Sequence, residues 1–228
     1  MTFTLTNTTQ HPDSGATPLS LDATSDQSAQ DVKLVYPSAE NDYRITTAII
    51  PPGSKFHPGA HWHEDYDEVM RVAKGRAKIR LGKEWKIYGP EDGEVLIPKG
   101  TVHDLMRADV DAKPGEGDEG EVWVEERGEP VDGSKEIFFR HAFSITADKA
   151  AFGWKFPLQM LLTLMYTDGY VDLVPGPASW YVTHGLYAVV RPVAGWAGLT
   201  PFYDQYTPER LKEIAKTLEE RMMGKKKV

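Results

Sequence analysis

Short alternating runs dominate the middle of the chain, and longer-period apolar patterns dominate its last third. In Arg76-Ala77-Lys78-Ile79-Arg80-Leu81 the apolar residues fall on every second position, so Ala, Ile and Leu share one face of a strand and the three cations the other. Similar runs, rich in Val, Ile, Phe, Tyr and Trp and punctuated by Gly and Pro, predict strands over Lys33–Tyr36, Tyr43–Ile50, Asp67–Ala73, Ala77–Leu81, Glu84–Tyr88, Glu94–Ile97, Val102–Arg107, Glu121–Glu126 and Lys135–Phe143. The acidic, Gly-rich stretch Asp109–Gly120 reads as a solvated loop. Beyond Ile145 the period changes, and helices are expected over Phe156–Tyr166, Ala178–Val190 and Thr207–Met223. Thr207 would cap the last of these, with Pro208 at its first position.

The first thirty residues are Ser, Thr, Asp and Gln with little periodic apolar content, which predicts a flexible tail. Three regions follow: a tail over 1–30, a β-barrel or sandwich over 31–145, and a helical C-terminal extension over 146–228 that packs on it. The segment Phe152–Tyr206 is unusually apolar, with Trp154, Trp180, Trp196, Met160 and Met165 among few charges. It suits a cover for the barrel, a dimer interface, a lid over a lipophilic substrate, or a peripheral membrane contact helped by Lys225, Lys226 and Lys227.

Composition narrows the chemistry. The 228 residues carry 26 Lys+Arg against 34 Asp+Glu, a formal charge of -8. That balance argues against a nucleic-acid partner, which draws on a basic excess, and favours a small molecule or a protein. With no cysteine, disulfides, thiolate metal sites and cysteine nucleophiles are excluded. The N-terminus lacks a basic stretch followed by an apolar run, and no apolar segment reaches the roughly 18 to 20 residues of a spanning helix. A cytoplasmic, soluble protein is therefore expected, and the sequon at Asn7 carries no weight.

Any metal must then be held by His, Asp, Glu or backbone. His61 and His63 lie two apart and share a face if they lie in a strand, Glu68 follows five residues later, and His103 stands in a second block. Three imidazoles and a carboxylate suit Fe, Mn, Ni, Co, Cu or Zn better than Mg or Ca. Asp67 is the alternative carboxylate, but Glu68 shares its strand face with Met70 and Val72. His57 and His184 read as structural or exposed. His141 would share a face of the final strand with Ile137, Phe139 and Phe143, and is either a proton relay or core filler. Trp62, Trp85 and Trp123 could wall a pocket.

The stretch from His61 to Glu68, followed by Gly75, matches the first cupin motif, HxHx(3,4)ExxxxxxG. Gly93 followed by Pro98-Lys99-Gly100-Thr101-Val102-His103 resembles the second, one residue shorter than usual between Gly and Pro. The resemblance covers roughly Ile49 to Arg107. It implies a mainly β fold, a cupin jelly-roll barrel with an α-helical appendage, in which His61, His63, Glu68 and His103 bind one divalent transition metal. Fe(II) is the first expectation, with Mn(II), Ni(II), Cu(II) or Zn(II) as alternatives. Arg107 stands where the motif usually has Asn. An inward arginine needs an anionic or carbonyl partner, so substrate, Glu68 or Asp67 is expected there.

Such barrels support several chemistries. The ligand set is similar to that of the family's dioxygenases, which implies an oxygenase acting on a small, rather apolar molecule, with Glu68 as proton acceptor and Arg107 and His141 as further catalytic candidates. The apolar C-terminal helices favour an aromatic or terpenoid substrate over a sugar phosphate. A redox-neutral isomerase, cyclase, decarboxylase or lyase is the alternative, and a non-catalytic binding module is the third reading. Homodimers are common among similar proteins, and the Val32–Ile50 strands could pair with a partner sheet.

Overall fold

The computed structural model describes residues 32–112, 117, 120–222 and 224, so the expected tail over 1–30 and the terminal lysines lie outside the described residues. Two compact units meet at Val131/Asp132.

The first unit is all β. Its strands are β1 (Lys33–Val35), β2 (Thr46–Ile50), β3 (His61–Trp62), β4 (Asp67–Lys74), β5 (Ala77–Leu81), β6 (Glu84–Tyr88), β7 (Glu94–Ile97), β8 (His103–Arg107) and β9 (Val122–Glu129). One antiparallel sheet runs β1-β2-β9-β4-β7, and in the other β3, β8, β5 and β6 are successive neighbours. Alternation decides which face is inward. On β4 Glu68, Met70 and Val72 are buried while Arg71 is exposed, and on β5 Ala77 and Ile79 are buried. Ile50, Ile97, Leu105 and Val124 complete the core. Burying a side chain of this kind contributes roughly 1.5–3 kcal/mol.

The turn between β4 and β5 depends on Gly75, whose φ of +72° is left-handed. A Cβ there would also lie 2.9 Å from the Glu121 carbonyl oxygen. Glycine alone meets both demands. The turn before β8 is closed by the Thr101 N–H on the Pro98 carbonyl at 3.0 Å, with Gly100 at a φ of +79°. The shortened Gly-to-Pro spacing leaves this turn intact.

The second unit is helical: α1 (Ser134–Ala147), α2 (Phe156–Tyr166), α3 (Ala178–Trp196) and α4 (Lys212–Met222), joined by shorter turns. Its core gathers Ile137, Ile145, Leu162, Met165, Tyr187, Val190, Phe202, Tyr206 and Leu211. The α2 bounds match the expectation. The third helix continues through Pro192 to Trp196, past the predicted end at Val190. The last begins with a short 3₁₀ turn capped by Pro208, not by Thr207, whose hydroxyl donates to the Tyr203 carbonyl at 2.9 Å.

One expected strand is wrong. Lys135–Phe143 lies within α1, so the helical unit starts at Asp132 and not after Ile145. The alternation of Ile137, Phe139, His141 and Phe143 mimics a strand because α1 is buried almost all round and shows no single polar stripe. The helix is started by Asp132, whose Oδ1 accepts from the Ser134 N–H at 2.9 Å. Glu136 and Arg140, one turn apart and 2.7 Å at closest approach, are the helical signal that the alternation masked.

Candidate metal centre

The four motif residues converge inside the barrel. His61 on β3 pairs directly with His103 on β8, and Glu68 reaches the same point from β4 in the other sheet. His63 follows just after β3. One ligand atom from each of His61, His63, Glu68 and His103 lies within 4.8 Å of the others. Glu68 Oε2 is 2.8 Å from His63 Nε2 and 3.6 Å from His103 Nε2. Ring centroids of His61 and His103 are 4.2 Å apart.

The backbone sets the imidazole orientation. His61 Nδ1 lies 2.8 Å from the Gly59 carbonyl oxygen, and His103 Nδ1 lies 2.9 Å from that of Thr101. A carbonyl only accepts, so each Nδ1 carries the proton and each Nε2 keeps a lone pair for the cluster. The two histidines use the same device, a carbonyl two residues upstream. Burial, and after it repulsion from His103 and His63, holds the His61 imidazole well below its usual pKa and keeps it neutral. Imidazole nitrogens gathered around a buried carboxyl group form a donor set for a divalent transition ion, and these residues fit one.

The second-motif turn is fastened to the first motif on two sides. The Gly100 N–H donates to the His63 carbonyl at 2.6 Å, and the Lys99 N–H donates to Asp67 Oδ1 at 2.8 Å. Asp67 is thus the anchor of the turn, and Glu68 is the carboxylate in the cluster.

Sequence reasoning missed Tyr66 and Gly128. The Tyr66 ring stacks on His63 at a centroid distance of 4.6 Å and 25°. Gly128 on β9 is the register partner of Glu68 and borders that ring. Tyr66 shares parity with Glu68, which was a readable clue, whereas Gly128 becomes visible only once the register is known.

Arg107 and His141 are not in the cluster. Arg107 is buried as parity predicts, but its Nε and Nη2 donate to Asp109 at 2.8 and 3.0 Å, and its Nη1 to the carbonyls of Ile50 and Gly120 at 3.1 and 2.9 Å. The anionic and carbonyl partners that it requires are these, in place of Glu68 or Asp67, and it staples the loop after β8 to β2. His141 lies on α1 in the helical unit. Its Nδ1–H donates to the Ile137 carbonyl at 2.9 Å and its Nε2 accepts the Tyr203 N–H at 3.0 Å, so both nitrogens serve the backbone.

The remaining candidates sit apart. His57 lies 3.5 Å from Asp104 and is more than half exposed, and His184 stacks on Trp180 and Tyr170. Trp62 is buried with its Nε1–H on Glu64, whereas Trp85 is exposed and Trp123 lies beneath the Lys74 amine.

No family model matches the chain, and no curated protein does. Three similar solved structures each cover less than half of it. A cupin-2 domain from Rhodospirillum rubrum is 17% identical with a TM-score of 0.33, over 43% of this chain and 59% of that one. A cupin-superfamily sugar phosphate isomerase from Silicibacter pomeroyi is 13% identical with a TM-score of 0.35, over 44% and 60%. The capsular polysaccharide assembling protein of Staphylococcus aureus is 17% identical with a TM-score of 0.31, over 46% of this chain and 27% of that one. The two antiparallel sheets and the His/Glu cluster have the architecture and ligand set that the motif resemblance implies.

Proposed function

We propose that the chain is a metal-dependent enzyme, an oxygenase acting on a small, fairly apolar organic molecule of aromatic or terpenoid type. The observation that carries the metal assignment is the paired carbonyl anchoring of His61 and His103, which leaves two lone pairs facing His63 and Glu68. Fe(II) is the first choice of ion, with Mn(II), Ni(II), Cu(II) or Zn(II) as alternatives. When bound, such an ion supplies Lewis acidity and, if redox-active, access to oxygen chemistry.

The chain's own residues do the rest. His61, His63 and His103 would hold the ion through imidazole nitrogens. Glu68 would complete the set and, on its carboxyl group, accept the proton of a substrate hydroxyl. Met70, Val72, Ile79 and Leu105 are buried on the same unit's strands, and this apolar setting supports a fairly apolar substrate.

The test is metal content of freshly purified protein by elemental mass spectrometry, with His103→Ala and His63→Ala as controls, followed by oxygen uptake over a panel of aromatic and terpenoid compounds. One equivalent of a redox-active ion, absent from both variants, together with substrate-dependent oxygen uptake, is the expected result. Zinc alone, with no oxygen uptake after Fe(II) reconstitution, would replace the oxygenase by a redox-neutral Lewis-acid enzyme. No metal in any preparation, even after reconstitution, would sink both.

A further inference from the structure

In the helical unit, α3 uses one side for the core and leaves the other in water. Ser179, Thr183, Tyr187, Val190 and Ala194 are buried at spacings of three and four. The outward side carries Tyr181 at 73% exposure, Val189 at 60% and Trp196 at 84%. Trp180, Val182 and Val193 flank them, also exposed. Trp154, just before α2, is 70% exposed, and its neighbour Lys155 donates from Nζ to the Ala197 carbonyl at 2.7 Å, which brings it to the C-terminal end of α3. Scattered exposed apolar residues are ordinary, but a continuous face of them marks an interaction surface.

Three observations select its occupant. First, charge: from Leu173 to Tyr203 there is no Asp or Glu and the only Lys or Arg is Arg191, in a chain of net charge -8. Lys149 over Phe156 and Lys155 over Trp154 add cations in the same unit. A surface cleared of acids in an acidic protein is the part that an anionic surface repels least, and the single Arg191 with the neighbouring lysines tips it towards attraction. Second, the aromatic residues sit at the two ends, Trp180 and Tyr181 at one and Trp154 and Trp196 at the other, with Val, Ala and Gly between them. Trp and Tyr favour the headgroup level, where one part of the ring is apolar and the other wet. Third, the exposed positions run broadly around the helix instead of along a narrow seam, which suits a deformable lipid surface better than a knobs-into-holes helix partner. No helix among the described residues is long and apolar enough to cross a membrane.

We propose that this face of α3, together with Trp154, seats the protein on an anionic lipid surface, with the helix lying in the headgroup plane. The reading is independent of the metal centre.

The test is flotation of the full, metal-loaded chain with vesicles of phosphatidylcholine alone and of phosphatidylcholine mixed with phosphatidylserine. Binding is expected on the mixed vesicles, weaker on the neutral ones and weakened by salt, and reduced roughly tenfold or more by Val189→Glu or Trp196→Glu. Trp85→Glu, on the barrel, should float like the wild type. Tryptophan quenching by brominated lipid in the wild-type protein provides a readout that needs no variant. No flotation of the wild type, equal flotation on both vesicle types, or a stable dimer in sedimentation velocity that Val189→Glu dissociates would each overturn the proposal, the last in favour of a second copy.

Discussion

Replacing Gly128 by Ala adds one carbon next to the site without touching a ligand. Gly128 has ordinary extended backbone within β9, so the change carries no left-handed strain, and its effect is steric. The new Cβ would lie 3.3 Å from Cδ2 and 3.5 Å from Cε2 of Tyr66. Comfortable carbon contacts fall at about 3.5–4.0 Å, so the ring must retreat by a few tenths of an ångström. That ring is stacked on His63, whose Nε2 is 2.8 Å from Glu68, so the displacement reaches a ligand. Overpacking costs about 1–3 kcal/mol, offset by about 0.5–1 kcal/mol from the lost freedom of glycine in the unfolded chain. A net destabilisation of about 1–2 kcal/mol is expected in urea melts of the metal-free protein. Metal affinity, measured by competition with a chromophoric chelator, should fall about 10- to 100-fold, the usual cost of disturbing a residue that orients a ligand. The double-mutant cycle isolates the route. In a Tyr66→Leu background the ring is gone, and Gly128→Ala should cost little further affinity. Unchanged affinity in Gly128→Ala, or an equal loss with and without the ring, would refute the reasoning.

Three other outcomes follow from the geometry. Gly75→Ala must adopt φ near +72° and place Cβ 2.9 Å from the Glu121 carbonyl, so a loss of about 2–5 kcal/mol is expected in thermal or urea unfolding, and a variant as stable as wild type would contradict the turn. Arg107→Met breaks the bidentate pair with Asp109 and orphans the carbonyls of Ile50 and Gly120, so unfolding should become easier by about 3–5 kcal/mol. The same variant should keep stoichiometric metal where it remains folded, whereas loss of metal from a folded variant would return Arg107 to the site. In metal-free protein the His61 pKa lies below its usual 6.5, so between the two values the unfolded chain binds more protons. Stability is therefore full above about pH 6.5 and declines as pH falls through that window, and the decline should be smaller in His61→Gln. Urea midpoints across that range measure it, and identical slopes in the two proteins would count against the assignment.

The barrel was legible where a buried face alternates with a wetter one, as on β5 and β7. Ala77–Leu81, Glu84–Tyr88 and Glu94–Ile97 match the expected bounds, since alternation and flanking turns agree there. The four clustered residues were legible for another reason: spacing along one chain segment and a Pro-x-Gly turn are local properties. What depended on tertiary surroundings was lost. Buried nearly all round, α1 offers no amphipathic stripe, so its Ile137, Phe139, His141 and Phe143 alternation reads as a strand. Parity put Arg107 inward correctly but could not tell that Asp109, two residues on, would fold back onto it. Gly128 acquired its role from register with Glu68, a pairing between segments far apart in sequence.

The tie between Gly100 and the His63 carbonyl, with Lys99 on Asp67, changes what the loop before β8 can do on its own. A connecting segment of this kind ordinarily frays independently of the sheets that it joins. Here its amide protons are donated into the neighbourhood of a ligand, so the loop cannot swing away without loosening His63. Solvent exchange at these two amides is thereby converted into a clock for the opening of the ligand shell. An ion held at His63 would therefore be tied to this turn through the His63 backbone, and substitutions at Lys99 or Gly100 would alter its release as well as the loop's exchange.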